Sequence, residues 1–263
     1  MKPHVQYRHV SELIWRDLEG GLRRGDLNRD ENAGAVISLF EIPSGWSGDS
    51  HALGHGEIEI FVVVGNLEFS DGVSGSTGTY HRRPSGTTPG TILRSTTTTL
   101  LLVQHAASTA MQGNSAPREI SHLDPSDFPW RANGEGRNRS EMAVLREDPV
   151  TGGQTYALRI PAGWVGRAGQ HFHSVSEEAF ILSGDVALEE EPVYTGGSYL
   201  FRPPHVVHGA RERSKSGCFA LTWTSGPIDF NYVTVEGPVS VPGDNRHSVG
   251  CFGIHADQID WEN

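Results

Sequence analysis

Cysteine is nearly absent: the 263 residues include two, Cys218 and Cys251. Neither belongs to a paired metal-binding spacing, and so few thiols suit a reducing compartment better than a disulfide-stapled secreted fold. Also missing is any apolar run near the roughly 20 residues needed to span a bilayer. The opening MKPHVQYRHVSELIWRDLEG has no apolar core of signal-peptide length. A soluble, cytoplasmic protein is expected. Basic charge is scarce as well, with 21 Lys and Arg against 32 Asp and Glu, a net charge of −11. The basic residues form no block able to track a phosphate backbone, which argues against a nucleic-acid partner.

What the chain does have is punctuation. Its 32 glycines and 15 prolines are spread along the whole length rather than pooled in a linker, as many short strands require. Apolar stripes at helical spacing are lacking. Runs rich in β-branched and aromatic residues take their place: IEIFVVV (58–64), TTTLLLVQ (97–104) and FALTW (219–223). The fold class implied is all-β.

The chain also repeats itself. Residues 40–46 (FEIPSGW) lie over 158–164 (LRIPAGW) at an offset of 118, and 78–84 (GTYHRRP) lie over 197–203 (GSYLFRP) at an offset of 119. The lead-in HVSELIW (9–15) is echoed by HLDPSDFPW (122–130) and again by HADQIDW (255–261). Two domains, each entered by an edge strand, would explain this, with a boundary in the polar stretch near 112–121. Each half also has a strand ending at a glycine, Val64-Gly65-Asn66 and Ser183-Gly184-Asp185, which suits a tight hairpin. Turn geometry and core packing are sufficient reasons for the repeated Pro, Gly and Trp residues.

One constellation carries chemistry. In HFHSVSEEAFILSG, His171 and His173 sit two apart, on one face of a strand, so both imidazoles can point into one cavity. Glu177 follows His173 after three residues, and His208 arrives in GSYLFRPPHVVHG after a further strand and turn. Neutral imidazoles with a carboxylate suit Fe(II), Mn(II), Ni(II), Cu(II) or Zn(II), and leave coordination positions for water or substrate. Glu178 competes with Glu177, but strand alternation sends the two to opposite faces. His205, three residues from His208 in a Pro-Pro turn, is expected to be an exposed loop histidine rather than a donor behind the ligands.

At these residues the chain resembles the cupin superfamily. Its first motif is Gly, His-x-His, three or four residues, Glu, six residues, Gly; its second is Gly, five residues, Pro-x-Gly, two residues, His. Glu177 keeps the six-residue gap to Gly184, and Gly197, Pro203 and His208 keep the second spacing. His205 replaces the inner glycine, and Gly166 stands one residue too close to His171. The resemblance covers both halves and implies two tandem cupin (double-stranded β-helix, jelly-roll) barrels, 1–115 with a degenerate site and 116–263 binding metal. Glu177-Glu178 resembles the cupins of zinc-binding anti-sigma factors and of diketone-cleaving dioxygenases.

The first half lacks the ligand set. Pro89 stands where the second half has His208, and the candidates His51, His55 and Glu59 are spaced by four, about 13 Å apart on an extended strand. Possible substrate contacts are Tyr156, Arg159, Arg202 and Trp223, which would line the cavity if they point inward; an arginine could hold a carboxylate or enolate oxygen. Arg83 matches Arg202 in the metal-poor half, which favours a structural role for Arg202.

The resemblance implies one divalent ion, Fe(II) favoured, in a dioxygenase acting on a small chelating substrate such as a diketone or hydroxyketone, with Glu177 the candidate catalytic carboxylate. Redox-neutral lyase, isomerase or hydrolase chemistry is the alternative. A non-catalytic metal-binding sensor module is a third, against which stands the lack of an added helical segment. The terminal HADQIDW segment is expected to add to a sheet edge, in its own chain or across a homodimer.

Overall fold

A computed structural model describes residues 1–54, 56–69, 72–84, 92–105, 121–166, 169–189 and 191–233. Among them every regular element is a β-strand or a short 3-10 turn, so the chain is all-β, and no helix is long and apolar enough to cross a membrane. The three apolar runs form strands Ile58–Val64, Thr99–His105 and Cys218–Thr224. The 255–261 segment with the edge pairing expected of it, Cys251, His55 and Pro89 lie outside the described residues.

The chain forms two compact units. The first comprises Met1–Pro3 and Glu12–Phe128; the second comprises His4–Ser11 and the described part of Pro129–Gln258. The first unit's larger sheet runs Ser121–Leu123, Tyr80–Arg83, Ile58–Val64, Thr99–His105, Val36–Ile42, Arg23–Arg29, Trp15–Asp17. The second repeats that order with Val5–His9, Ser198–Arg202, Glu177–Val186, Cys218–Thr224, Gln154–Ile160, Ser140–Glu147, Arg131–Asn133. A smaller sheet faces the larger one in the first unit, and the pair His171–Phe172 with Asn231–Tyr232 stands apart in the second. These are jelly-roll sandwiches; the sheets do not close into the barrels expected from the sequence.

Two further expectations are corrected. The strand at the start of each lead-in joins the sheet of the other repeat, Val5–His9 pairing with Ser198–Arg202 and Ser121–Leu123 with Tyr80–Arg83, whereas the strand at its end, Trp15–Asp17 or Arg131–Asn133, joins the sheet of its own. Ser121–Leu123 thus packs with the first unit, past the 115/116 division. Gly65 and Gly184 do not make tight hairpins. Ile58–Val64 and the following Asn66–Phe69 lie in different sheets, while Glu177–Val186 continues through Gly184 after a register shift. Both glycines have positive φ, 98° and 77°, and a Cβ on Gly184 would lie 1.9 Å from the Gly217 carbonyl oxygen. Close backbone passage and a sharp bend dictate glycine there.

The repeated Ile-Pro-x-Gly-Trp motif makes the same turn twice. Gly45 and Gly163 have φ of 80° and 75°, the Trp46 and Trp164 amides each donate to the proline carbonyl at 3.2 Å, and both indoles are buried. Each tops its own core: Phe40, Ile60, Leu67 and Leu101 in the first unit, Ile160, Ile181, Tyr194 and Leu200 in the second. A fully buried side chain of this kind contributes about 1.5–3 kcal/mol.

Candidate metal centre

The His-x-His strand is tied to the His208 turn by backbone. His171 and His208 exchange two N–H to carbonyl bonds of 2.8 Å, and the His205 amide donates to the His173 carbonyl at 2.8 Å. His205 has φ of 69° and is exposed, so it occupies the left-handed position that the cupin motif gives to glycine. The imidazoles of His171, His173 and His208 are all buried, with ring centroids 4.5–5.0 Å apart. One nitrogen from each lies within 4.8 Å of the others, and such a group can hold a metal ion.

Glu177 opens its strand directly opposite Arg202 and Thr224. Its Oε2 approaches His208 Nε2 at 3.5 Å and His173 Nε2 at 3.9 Å, while Arg202 donates to the same oxygen at 2.9 Å. Glu178 faces away and accepts the Tyr199 hydroxyl at 2.5 Å. That pairing recurs in the first unit, where Tyr80 donates to Glu59 at 3.0 Å, so the Glu–Tyr pair belongs to the repeated framework. Glu59 is thereby accounted for, and His51 is paired through Nδ1 with Asp49 at 2.8 Å. Among the described residues, the second unit's histidines are the one metal-type group of three.

The protonation states favour ligation. Burial, which by itself would raise the Glu177 pKa, is outweighed by Arg202, His208 and His173, and the carboxyl is held down at about 2. Burial first and the Arg202 charge second hold His208 down at about 4, and burial lowers His171 too. An anionic carboxylate thus faces the His208 ring, whose pKa is lowered. Backbone carbonyls fix the rings: Val206 at 2.8 Å from His208 Nδ1, and Asp229 against His173 Nδ1. Asp229 is itself clamped by Ser174 and Asn231. These contacts leave Nε2 of each ring toward Glu177.

Of the candidate substrate contacts, two lie on the Glu177 side. Arg202 is buried and bridges Glu177 to Glu191, the latter at 2.9 Å. Tyr156 sits opposite Thr222, and burial, then the Glu177 charge, raises its pKa. The other two are corrected. Trp223 pairs with Glu178 and Thr155 on the opposite face. Arg159 shares that face, stacked 3.8 Å over Trp130 and paired with Glu141 at 3.0 Å. Sequence reasoning missed Glu191, Asp229, and Phe230, whose half-exposed ring lies 5.1 Å from both His171 and His173. It also missed Gly209, where a Cβ would collide with the His171 ring; its place directly after His208 was the available signal.

No curated protein sequence matches this chain. Solved structures do. A protein of Nostoc punctiforme described as a "putative dioxygenase" superposes with a TM-score of 0.68 at 16% identity, covering 90% of this chain and 87% of its own. The protein Ylba of E. coli gives 0.61 at 15%, covering 89% and 92%. The oxalate decarboxylase of Lactobacillus farciminis gives 0.56 at 13%, covering 87% and 88%. At such identities the likeness is one of fold. The sequence profile of the ChrR cupin-like domain, however, matches residues 4–109 and again 119–228, and with both repeats so covered the chain belongs to the ChrR cupin-like family.

Proposed function

We propose that the second unit holds one divalent metal ion through His171, His173, Glu177 and His208, and that the protein is an Fe(II)-dependent dioxygenase acting on a small chelating substrate such as a diketone or hydroxyketone. The observation that carries this reading is the convergence of three buried imidazoles in one group, with the Glu177 carboxylate 3.9 and 3.5 Å from the rings of His173 and His208. A divalent ion bound there supplies a Lewis-acid centre and, as iron(II), the capacity to activate O2. The chain's own residues do the rest. Arg202 holds Glu177 in its ionised form and in one orientation, and Glu191 offsets the second half of the guanidinium charge. Phe230 and Tyr232, both partly exposed and stacked at 15°, give the approach an apolar rim suited to the carbon skeleton of a chelating ketone.

The test is metal analysis of anaerobically purified protein followed by oxygen uptake with diketones and hydroxyketones. Bound iron with substrate-dependent oxygen consumption is expected. Turnover that proceeds without oxygen would replace this reading with lyase, isomerase or hydrolase chemistry; tight metal without turnover of any substrate would leave a sensor module.

A further inference from the structure

Arg83 occupies in the first unit the place that Arg202 holds in the second, the two being 119 residues apart in the repeat. Their surroundings differ in one respect. Arg202 lies across the ladder from Glu177, whereas Arg83 lies across from Ile58. Arg202 is neutralised by carboxylate oxygens of Glu177 and Glu191, each at 2.9 Å. Arg83 is also buried, at 5% exposure, yet among the described residues it makes no ion pair. One terminal nitrogen donates to the Ser50 hydroxyl and the other to the Gly54 carbonyl at 3.2 Å. Both acceptors are neutral.

A guanidinium carries five N–H donors, so these two bonds leave most of the fork unused. The charge of Asp49 reaches Arg83, but the two form no ion pair, and Asp49 Oδ1 takes the amide and ring of His51 at 2.7 and 2.8 Å. Burial outweighs its attraction and lowers the Arg83 pKa. The segment that follows the strand, residues 85–91 (SGTTPGT), has no acid to offer. A buried cation without a directly bonded counter-charge is costly, and proteins compensate it by pairing.

We infer that the first unit binds a small carboxylate ligand at Arg83, in a site separate from the metal centre. The second unit shows what the same strand position accepts: two carboxylate oxygens on the two terminal nitrogens. With Glu177 replaced by Ile58, a diffusible carboxylate supplies that missing charge, held bidentately by the fork. The buried Ser50 hydroxyl accepts from Arg83 and retains its own proton for a ligand oxygen.

Acetate is the probe, titrated into the full chain and followed by NMR, with inorganic phosphate as a parallel arm. One acetate site per chain is expected, with the Arg83 side-chain N–H signal shifting on binding. Arg83→Gln should weaken acetate binding by about tenfold or more, the worth of a charge-assisted bond. Arg83→Lys, keeping the charge without the fork, should fall between. His208→Ala should leave acetate binding unchanged, which separates this site from the metal reading. If Arg83→Gln does not fold, Ser50→Ala together with the wild-type Arg83 signal decides: weaker binding and a shifted signal support the site. Absence of acetate binding to the wild-type protein, equal binding by folded Arg83→Gln, or loss in His208→Ala would overturn it. Phosphate bound more tightly than acetate would overturn the carboxylate assignment.

Discussion

Gly209→Ala offers a sharp probe of the metal centre because its effect can be worked out atom by atom. Gly209 follows His208 with φ of 80°, and a Cβ on it would stand 2.3 Å from His171 Cε1 and 2.7 Å from Nδ1. Non-bonded carbons settle at about 3.5–4.0 Å, so the imidazole must retreat by roughly 1 Å. Metal–ligand distances tolerate only about 0.2 Å. His171 is therefore lost as a ligand, and metal affinity should fall by about 10–100-fold or more, as when the surroundings of a ligating histidine are disturbed. The substitution also places an L-residue in the left-handed region, costing roughly 1–2 kcal/mol by itself. Gly163→Ala isolates that second effect: its φ is 75° and nothing lies within 4 Å of the added Cβ. Melting of both metal-free variants and metal affinity by chelator competition form the assay. Gly163→Ala should lose stability and keep wild-type affinity; Gly209→Ala should lose both. Equal metal affinity in the two variants would refute the argument.

Three further outcomes are expected. Metal should bind at one ion per chain, and His208→Ala should remove most of it; a stoichiometry near two, half of it retained in the variant, would contradict a single site in the second unit. Glu177→Ala should weaken metal binding more than Glu178→Ala, whereas Glu178→Ala should cost about 1–3 kcal/mol of stability by removing the carboxylate that accepts the buried Tyr199 hydroxyl, measurable by denaturant titration. Burial pushes the Cys218 thiol up to about 12, so in a Cys251→Ser background it should resist alkylation at pH 8 in the native state and react once the protein is unfolded.

Strand identity was legible because the apolar runs are short and bounded by Gly and Pro, and the repeat disclosed that one sheet order is built twice. The partner of a lead-in strand was not. Val5–His9 and Ser121–Leu123 are edge strands, and an edge pairs with whichever free backbone the tertiary structure brings beside it; the residues of the strand do not specify which repeat that is. The two glycine bends were misjudged for a related reason. Positive φ is demanded both by a two-residue hairpin and by a strand bending past another backbone, and Gly65 and Gly184 serve the second purpose.

The ligand histidines stood out because their spacing matches a strand period and a turn. Arg159 and Trp223 were harder to place because both faces of the central strands are buried: all seven residues of Cys218–Thr224 and all five of Ser198–Arg202 are buried. Hydrophobic alternation, the usual guide to which side of a sheet faces the interior, is erased in such strands. Parity must then be counted from a residue whose direction is already fixed. Counting from Glu177 across the ladder puts Arg202, Thr224, Thr222 and Tyr156 on its side. A step of one residue puts Trp223 with Glu178, and a further four residues down the neighbouring strands reaches Phe219 opposite Arg159. The same count in the first unit starts from Ile58, which is why Arg83 arrives on the inner face across from an apolar residue rather than a carboxylate.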